Sequence, residues 1–343
     1  MAGPDSGTAP AGPDSGSTPA AAGPASPAGS GPTPPTAPGD TPAAQSAIGP
    51  VASLAPSSLP KPEEPSNLVF YISVGTETSP GKVYQVGEDR QVFGKVNLQY
   101  TATGMAVHKS QGLVLAVPRD GGKLMRIDPT GKASILLEKD SALQHPVSVS
   151  IASGSDMILA ADNFNNTLVA LPITAPKPKI YTRFEGQNYT SQDMSVAVTK
   201  DKHVIFSSGG APGVFRFGGG VTFADSKPVL PTSGGVTADV NSFRWAAAQD
   251  PNRILVYDGE QLTKKLRLPA GKSLYHNGVM GFGPRGSLCV AVRDSEEDSG
   301  EVSLLMFDLA KDEIKTLFPC KEPLQDFVVG PRMPWRARPG AAK

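Results

Sequence analysis

The stretch that decides the fold is VSVSIASGSDMILAADNFNNTLVALPITAPKPKIYTRF, residues 147–184. It contains four short apolar runs separated by turns rich in Gly, Asp, Asn or Pro. The runs are VSVSI (147–151), MILAAD (157–162), TLVAL (167–171) and KIYTRF (179–184). Short runs rich in β-branched and aromatic residues, bounded by turn residues, are typical of β-strands. The stretch therefore predicts one unit of four strands.

The same order of strands recurs along the chain from residue 66. The opening strand of the unit recurs, at spacings of roughly 35–48 residues, as GMAVH (104–108), VSVSI (147–151), MSVAV (194–198), FRWAA (243–247), GVMGF (278–282) and DFVVG (326–330). In the fifth unit we assign RILVYD (253–258) as the second strand, QLTKKL (261–266) as the third and the overlapping KLRLP as the fourth. Six four-stranded units of this length predict the blades of a β-propeller.

The two ends of the repeat region are complementary. The first unit lacks an opening strand, whereas DFVVG near the C-terminus has no unit of its own. If the ends meet, DFVVG becomes the innermost strand of the first blade, and the closure removes the free edges that an open sheet would expose. The predicted fold is thus an all-β, six-bladed propeller over 66–335. An eight-stranded sandwich is the competing architecture, but it does not predict six repeats in matching register.

The first 65 residues have a different composition. They hold 16 of the 34 prolines and no Phe, Tyr or Trp. Such a segment has too little apolar surface to offset the entropy cost of ordering, so we predict a disordered tail over 1–65. Residues 336–343 are predicted to be a short C-terminal tail.

Charge and hydropathy exclude several classes of protein. Thirty-two Lys and Arg residues balance 32 Asp and Glu residues, which argues against nucleic-acid binding through bulk basicity. No window approaches 18 uninterrupted apolar residues, so no transmembrane helix is predicted. Met1 is not followed by a basic region and an apolar stretch, and no standard secretory signal is evident. We expect a soluble monomer whose compartment is left open, with the cytoplasm favoured.

Two propeller families resemble parts of the chain. ILAADNFNNTLVALPI (158–173) resembles the NHL repeat, in which a strand ends in Ala-Asp and a loop carries Asn-Asn. TGMAVHKSQGLVLAV (103–117) is similar to a blade opening in the gluconolactonase and senescence-marker family. That resemblance implies a six-bladed enzyme that holds a divalent metal in its channel with a Glu, Asn and Asp set. Here Thr103-Gly104 stands where Asn-Gly would open the strand, and Asn-Gly precedes an opening strand only at Asn277-Gly278.

Loops on one face of a propeller carry most ligand sites, because the strands beneath position them rigidly. The loops between second and third strands bring to that face Arg119, Asp120, Asp162, Asn163, Asp258, Arg293 and Asp294. The loops that lead into the next blade add Asp193, Asn241, Arg244, His276, Asn277 and Asp326. These residues are the candidate ligand-binding or channel-face set.

The candidate residues allow three interpretations. In the first, the acids pair with the nearby arginines in a structural ring of charge. In the second, they bind a small ligand or a divalent ion such as Ca²⁺ through oxygen ligands. In the third, they take part in catalysis, with His276 as a general base beside Asn277. No complete catalytic set is evident, so we expect no required cofactor and a non-catalytic binding or scaffold module whose protein or small-molecule ligand engages the channel face. The alternative is a lactonase-like hydrolase with a channel metal held by some of Asp162, Asp193, Asp258 and Asp326.

Overall fold

A computed structural model describes residues 68–335 of the 343-residue chain except for 77, 139, 153, 184–193, 209–210, 218–227, 231–233, 277 and 295–300. The predicted tails therefore lie outside the described residues. Within them, 25 strands form six antiparallel sheets, which are the blades of a six-bladed β-propeller. No helix in this part of the chain is long and apolar enough to cross a membrane.

Each blade is given from its innermost to its outermost strand. Blade 1 consists of β25 (Leu324–Pro331), β1 (Leu68–Val74), β2 (Lys82–Val86) and β3 (Val92–Asn97). Blade 2 consists of β4 (Gly104–His108), β5 (Gly112–Val117), β6 (Lys123–Ile127) and β7 (Ala133–Glu138). Blade 3 consists of β8 (Pro146–Ile151), β9 (Met157–Asp162), β10 (Thr167–Pro172) and β11 (Lys179–Arg183).

The second half of the ring follows the same plan. Blade 4 consists of β12 (Ser195–Val198), β13 (Val204–Ser208), β14 (Ala211–Phe217) and β15 (Pro228–Leu230). Blade 5 consists of β16 (Val236–Ala238), β17 (Arg244–Asp250), β18 (Arg253–Asp258) and β19 (Gln261–Arg267). Blade 6 has a split innermost strand, and consists of β20 (Lys272–Leu274), β21 (Met280–Phe282), β22 (Leu288–Asp294), β23 (Val302–Asp308) and β24 (Glu313–Cys320).

The hydrophobic core lies between the blades. Among the described residues there are six apolar clusters, one for each pair of neighbouring blades. Successive residues of a strand point to opposite sides of its sheet. In β5, Leu113 and Leu115 therefore pack against blade 1, whereas Val114 and Ala116 pack against blade 3. Burial on both sides explains why the second strands are continuous apolar runs rather than alternating ones.

The ring is closed as the sequence predicts. β25 pairs antiparallel with β1, with Phe327 opposite Ile72 and Val329 opposite Phe70. The innermost strands contact one another in the cyclic order β25, β4, β8, β12, β16, β21 and back to β25. This pairing confirms that the C-terminal DFVVG supplies the innermost strand of the first blade.

The buried Tyr71 hydroxyl reinforces this closure. It donates a hydrogen bond to the carbonyl oxygen of Pro331 at 2.6 Å and accepts one from the Met333 amide at 3.1 Å. The Gln85 side chain donates to the same hydroxyl at 2.9 Å and to the Met333 carbonyl at 3.1 Å. A single network thus joins β1, β2 and the segment that follows β25.

The predicted strand assignment in blade 5 is wrong by one strand. The run around 243–247 is the second strand (β17) rather than the innermost one, RILVYD is the third, and QLTKKL is the fourth. The innermost strand, β16, is only the three residues Val-Thr-Ala, too short to stand out as an apolar run. The shift matters for the site because it reverses the face on which the ends of β17 and β18 lie.

Candidate functional site

The two faces of the ring are defined by their loops. We call upper the face with the loops between second and third strands and those leading into the next blade, and lower the opposite face. The six innermost strands surround a central channel with a cavity volume of about 1050 Å³. Its middle is lined by small and apolar residues such as Ala106, Val149, Val196 and Gly281.

Polar oxygens join neighbouring innermost strands near the upper mouth of the channel. Ser148 of β8 accepts a hydrogen bond from the Val196 amide of β12 at 3.2 Å, and Ser195 accepts one from the Val236 amide of β16 at 3.2 Å. Asp326 of β25 does the same for the Met105 amide of β4 at 2.7 Å. These bonds satisfy backbone donors on the channel edge of each sheet, which has no further strand to pair with.

Glycine occupies the equivalent position where the blades approach most closely. A Cβ atom on Gly104 would lie 2.7 Å from the Cα of Ser148. A Cβ atom on Gly235 would lie 2.0 Å from the carbonyl oxygen of Gly278. The equivalent position of blades 1 to 5 is thus Asp326, Gly104, Ser148, Ser195 and Gly235, and we call this set the axial ring.

Asp326 is the charged member of the axial ring, and it lines the channel. Its Oδ1 atom accepts a hydrogen bond from the Phe327 amide at 2.8 Å, while Oδ2 binds the Met105 amide. A β-bulge at Gln325, between the Ser73–Asp326 and Val74–Leu324 pairs, precedes it. Burial among the blades raises the pKa of Asp326 to about 7, although the two amide donors oppose that rise.

His276 and Arg293 also line the channel, in blade 6. The innermost strand of this blade is interrupted between β20 and β21, where the Gly278 and Val279 amides donate hydrogen bonds to the Tyr275 carbonyl at 3.0 and 3.2 Å. The ring of Tyr275 meets that of His276 edge-on, with centroids 4.0 Å apart. The structure therefore brings three candidates, Asp326, His276 and Arg293, to the upper part of one cavity.

Asp162 performs a structural task away from the channel. Its side chain is fully buried, and its oxygens accept hydrogen bonds from the amides of His145 at 2.5 Å and Asn165 at 2.8 Å. Burial raises the pKa of Asp162, and the amide donors oppose the rise. The neighbouring Asn163 amide donates to the His145 carbonyl at 3.1 Å. The Ala-Asp-Asn signature of this blade thus fastens its upper loop to the loop arriving from blade 2.

Two further candidate acids on the upper face have cation partners. Asp120 lies 3.6 Å from the Lys123 ammonium group, and a hydrogen bond from Tyr100 holds the pKa of Asp120 below its usual value. Arg119 lies over the Tyr100 ring at 5.8 Å. Asp294 accepts a hydrogen bond from Lys272 at 2.8 Å. In both contacts the partner is a lysine rather than one of the arginines of the candidate set.

Three candidates lie on the lower face, contrary to the prediction, because of the strand shift in blade 5. Arg244 begins β17, directly opposite Asp258 at the end of β18, and Asn241 lies in the loop before β17. Arg244 binds Asp239 at 3.1 Å and the Gly286 carbonyl at 3.2 Å, so it joins blades 5 and 6. The two remaining candidates, Asp193 and Asn277, lie outside the described residues.

The three proposed metal ligands that lie within the described residues are not brought together. Asp162 is committed to amide donors, Asp258 is on the lower face, and Asp326 is in the channel. Across the part of the chain that the structure describes, no group of three or more His, Cys, Asp or Glu side chains has the geometry to hold a metal ion.

Apart from Asp326, the members of the axial ring escaped the sequence analysis. Its signal was the Ser at the second position of both VSVSI and MSVAV, together with the leading Gly of GMAVH and the leading Asp of DFVVG. Aligning the opening strands on these small or polar residues, rather than on the apolar ones, identifies four of the five members. A pair on the lower face was also missed, in which His108 Nε2 lies 3.1 Å from Asp156.

Comparisons with known proteins identify the architecture. No protein-family model matches the chain, and no curated protein matches it in sequence. A chain from the nidogen–laminin complex matches with a TM-score of 0.53 at 12% identity, covering 78% of this chain and 99% of its own length. The periplasmic gluconolactonase PpgL of Pseudomonas aeruginosa matches with a TM-score of 0.52 at 16% identity, covering 74% and 83%.

A third similar structure is a protein of unknown function from Bacteroides caccae. It matches with a TM-score of 0.54 at 10% identity, covering 76% of this chain and 98% of its own. The matches confirm the predicted resemblance to propellers, a gluconolactonase among them. At these identities they establish the fold, and the function has to be argued from the site.

Proposed function

We propose that this propeller is a non-catalytic binding module that takes a ligand into the upper part of its central channel. The observation that carries the proposal is the cavity of about 1050 Å³ enclosed by all six innermost strands. Ligand sites in proteins are concave and mostly apolar, with a few polar groups that orient the ligand. The apolar middle of the channel and the polar residues at its upper end, Asp326, His276 and Arg293, fit that description.

The hydrogen bonds and ion pairs that the candidate acids already make favour a binding function over metal-dependent hydrolysis. Asp162 holds loop amides, while Asp120 and Asp294 pair with lysines. A divalent ion needs several oxygen ligands converging on one point, and these acids support separate parts of the ring. Titration calorimetry with Ca²⁺, Mn²⁺ and Zn²⁺ is expected to show no heat and no change in melting temperature. Stoichiometric binding that is lost on substitution of Asp326 would favour the lactonase-like alternative.

The channel itself is tested by blocking it. Ser150 is a partly buried residue of β8 that lines the cavity, two positions beyond Ser148 on the same side of the strand. In Ser150→Trp an indole ring occupies part of the channel. Ile135→Trp, on the exposed outer strand β7, adds the same group outside it and is the matched control.

A thermal-shift screen of small molecules against the three proteins gives the readout. Compounds that stabilise the wild type are expected to stabilise Ile135→Trp equally and Ser150→Trp much less. Equal stabilisation of Ser150→Trp would place the ligand outside the channel and overturn the proposal, as would the absence of any stabilising compound at millimolar concentration.

We also propose that the chain is a monomer. The closed ring turns the unpaired edge of each innermost strand into the central channel, where a strand of another chain cannot pair with it, and propellers avoid edge-to-edge association by keeping their sheet edges short and protected. Sedimentation equilibrium of the full chain is expected to give the mass of one copy, 35.6 kDa. A concentration-dependent dimer would contradict this.

A further inference from the structure

We propose that the ligand of the channel carries a protonated amine, and that Asp326 is its counter-ion. This inference rests on the proposed function, that of a channel-binding module, and names the chemistry of what is bound. It starts from the axial ring, in which one position out of five carries a charge.

The structural task of Asp326 does not need a carboxylate. Ser148 and Ser195 accept the amide hydrogen of the next blade from the same position with a neutral hydroxyl. At Gly104 and Gly235 the position has no side chain at all. A carboxylate among the blades costs desolvation free energy that a hydroxyl does not. A neutral side chain would therefore suffice to hold β25 against β4, and the negative charge of Asp326 needs another explanation.

Asp326 differs from the other described acids along the channel in having no Lys, Arg or His partner. Asp156 pairs with His108, Asp239 with Arg244, and Asp250 with Arg253. Within the part of the chain that the structure describes, the two backbone amides are the hydrogen-bond donors to the Asp326 carboxylate, and no Lys, Arg or His side chain forms an ion pair with it. His276 and Arg293 also line the channel, and neither is without a partner. Among the described acids along the channel, Asp326 is therefore the one whose charge has no complement.

An ammonium group supplies that complement. Each oxygen of Asp326 accepts one amide hydrogen and retains a lone pair for a further donor. An ammonium group has three donors, and charge-assisted hydrogen bonds to a carboxylate are about twice as strong as neutral ones. The small and apolar walls beside it, including Ala106 and Val149, suit an alkyl body. The ligand class is thus a primary amine with an apolar chain.

The test uses three probes of equal length that differ in their head group: hexylammonium, hexanol and hexanoate. Their affinities for the full chain are measured by titration calorimetry at pH 8. Asp326→Ser is the decisive variant, since serine already performs the inter-blade task in blades 3 and 4. Asp258→Ser, at an exposed position on the lower face, is the matched control.

Hexylammonium is expected to bind the wild type and Asp258→Ser with equal affinity. Its affinity for both should be at least tenfold higher than its affinity for Asp326→Ser. On the wild type, hexylammonium should also bind more tightly than hexanol or hexanoate. Equal affinity for Asp326→Ser, or preference for hexanoate or hexanol, overturns the amine assignment and leaves the channel proposal to the Ser150→Trp test. No binding of hexylammonium also overturns the assignment. If Asp326→Ser fails to fold, as judged by circular dichroism, Asp326→Asn replaces it, and the ranking of the three probes on the wild type decides independently.

Discussion

At the scale of single residues, the Tyr71 hydroxyl shows how a buried polar group holds the ring closed. It makes three hydrogen bonds, with Pro331, Met333 and Gln85, and the first two lie in the C-terminal part of the chain. Burial raises the pKa of Tyr71, so it stays a neutral donor and acceptor at ordinary pH. Removing the oxygen leaves buried partners without a bond, which costs more than the bond itself contributes.

Tyr71→Phe is expected to lower the free energy of unfolding by about 1–3 kcal/mol, the usual cost of unsatisfied buried partners. The control is Tyr257→Phe, since Tyr257 stacks on Trp245 and its hydroxyl has no hydrogen bond within the described residues. That change should cost less than about 0.5 kcal/mol. Urea unfolding of the two variants measures both values, and equal losses would show that the Tyr71 network does not stabilise closure.

The pH dependence of stability follows from Asp326. Its pKa is raised from 3.8 to about 7 in the folded chain, so the folded state binds the proton more tightly than the unfolded state does. Protonation of Asp326 therefore stabilises the folded state, and this stabilisation is complete below about pH 4 and is lost as the pH rises towards 7. Between pH 5 and pH 8 we expect the wild type to lose about 1–2 kcal/mol more than Asp326→Ser, allowing for water in the channel.

Urea unfolding at both pH values measures this difference. The comparison between the two proteins cancels the titration of the other groups that both retain. A parallel loss in the wild type and in Asp326→Ser would mean that Asp326 titrates normally.

At the scale of elements, the innermost strands decide both the packing and how much the sequence reveals. The six repeats and the pairing of DFVVG with the first blade were predictable, because long apolar second strands and turn residues mark every unit. The strand order of blade 5 was not predictable, because β16 is three residues long and packs between β12 and β21, which are distant from it in sequence. That single shift moved Arg244 and Asp258 to the wrong face. Nor could local sequence show that Asp294 would meet Lys272, which lies 22 residues earlier on the neighbouring strand.

Gly235 tests how closely the innermost strands must approach. In Gly235→Ala the added Cβ atom would lie 2.0 Å from the Gly278 carbonyl oxygen, so the backbones of blades 5 and 6 have to separate. We expect a loss of about 1–3 kcal/mol in the free energy of unfolding. In Gly281→Ala, the control on β21, the nearest atom is on the Phe327 ring at 3.2 Å, and a loss below about 1 kcal/mol is expected. Similar losses in chemical denaturation would argue against tight contact at Gly235.

At the scale of the whole molecule, the ring depends on a strand that arrives from the far end of the chain. A chain ending at residue 323 lacks β25, so β1 becomes a free edge, and the apolar cluster between blades 6 and 1 loses Phe327. We expect this chain to aggregate or to unfold without a cooperative transition, because an exposed edge recruits other strands. A chain ending at Trp335 retains every described contact and should unfold like the full chain. Size-exclusion chromatography and thermal circular dichroism distinguish the two, and a cooperative monomer from the shorter chain would contradict this role of β25.

Because the first blade is built from both ends of the repeat region, it is completed late in translation. β1 ends at Val74, but the strand that completes its sheet begins at Leu324, and roughly 250 residues must be translated in between. At about 5–20 residues per second, that interval is on the order of 10–50 s. During this interval the nascent chain carries an incomplete sheet, and its apolar strand β1 is exposed to binding by chaperones. A circular permutant that starts at residue 324 would deliver all four strands of that blade before those of any other blade, with residues 332–343 and 1–67 between its first and second strands.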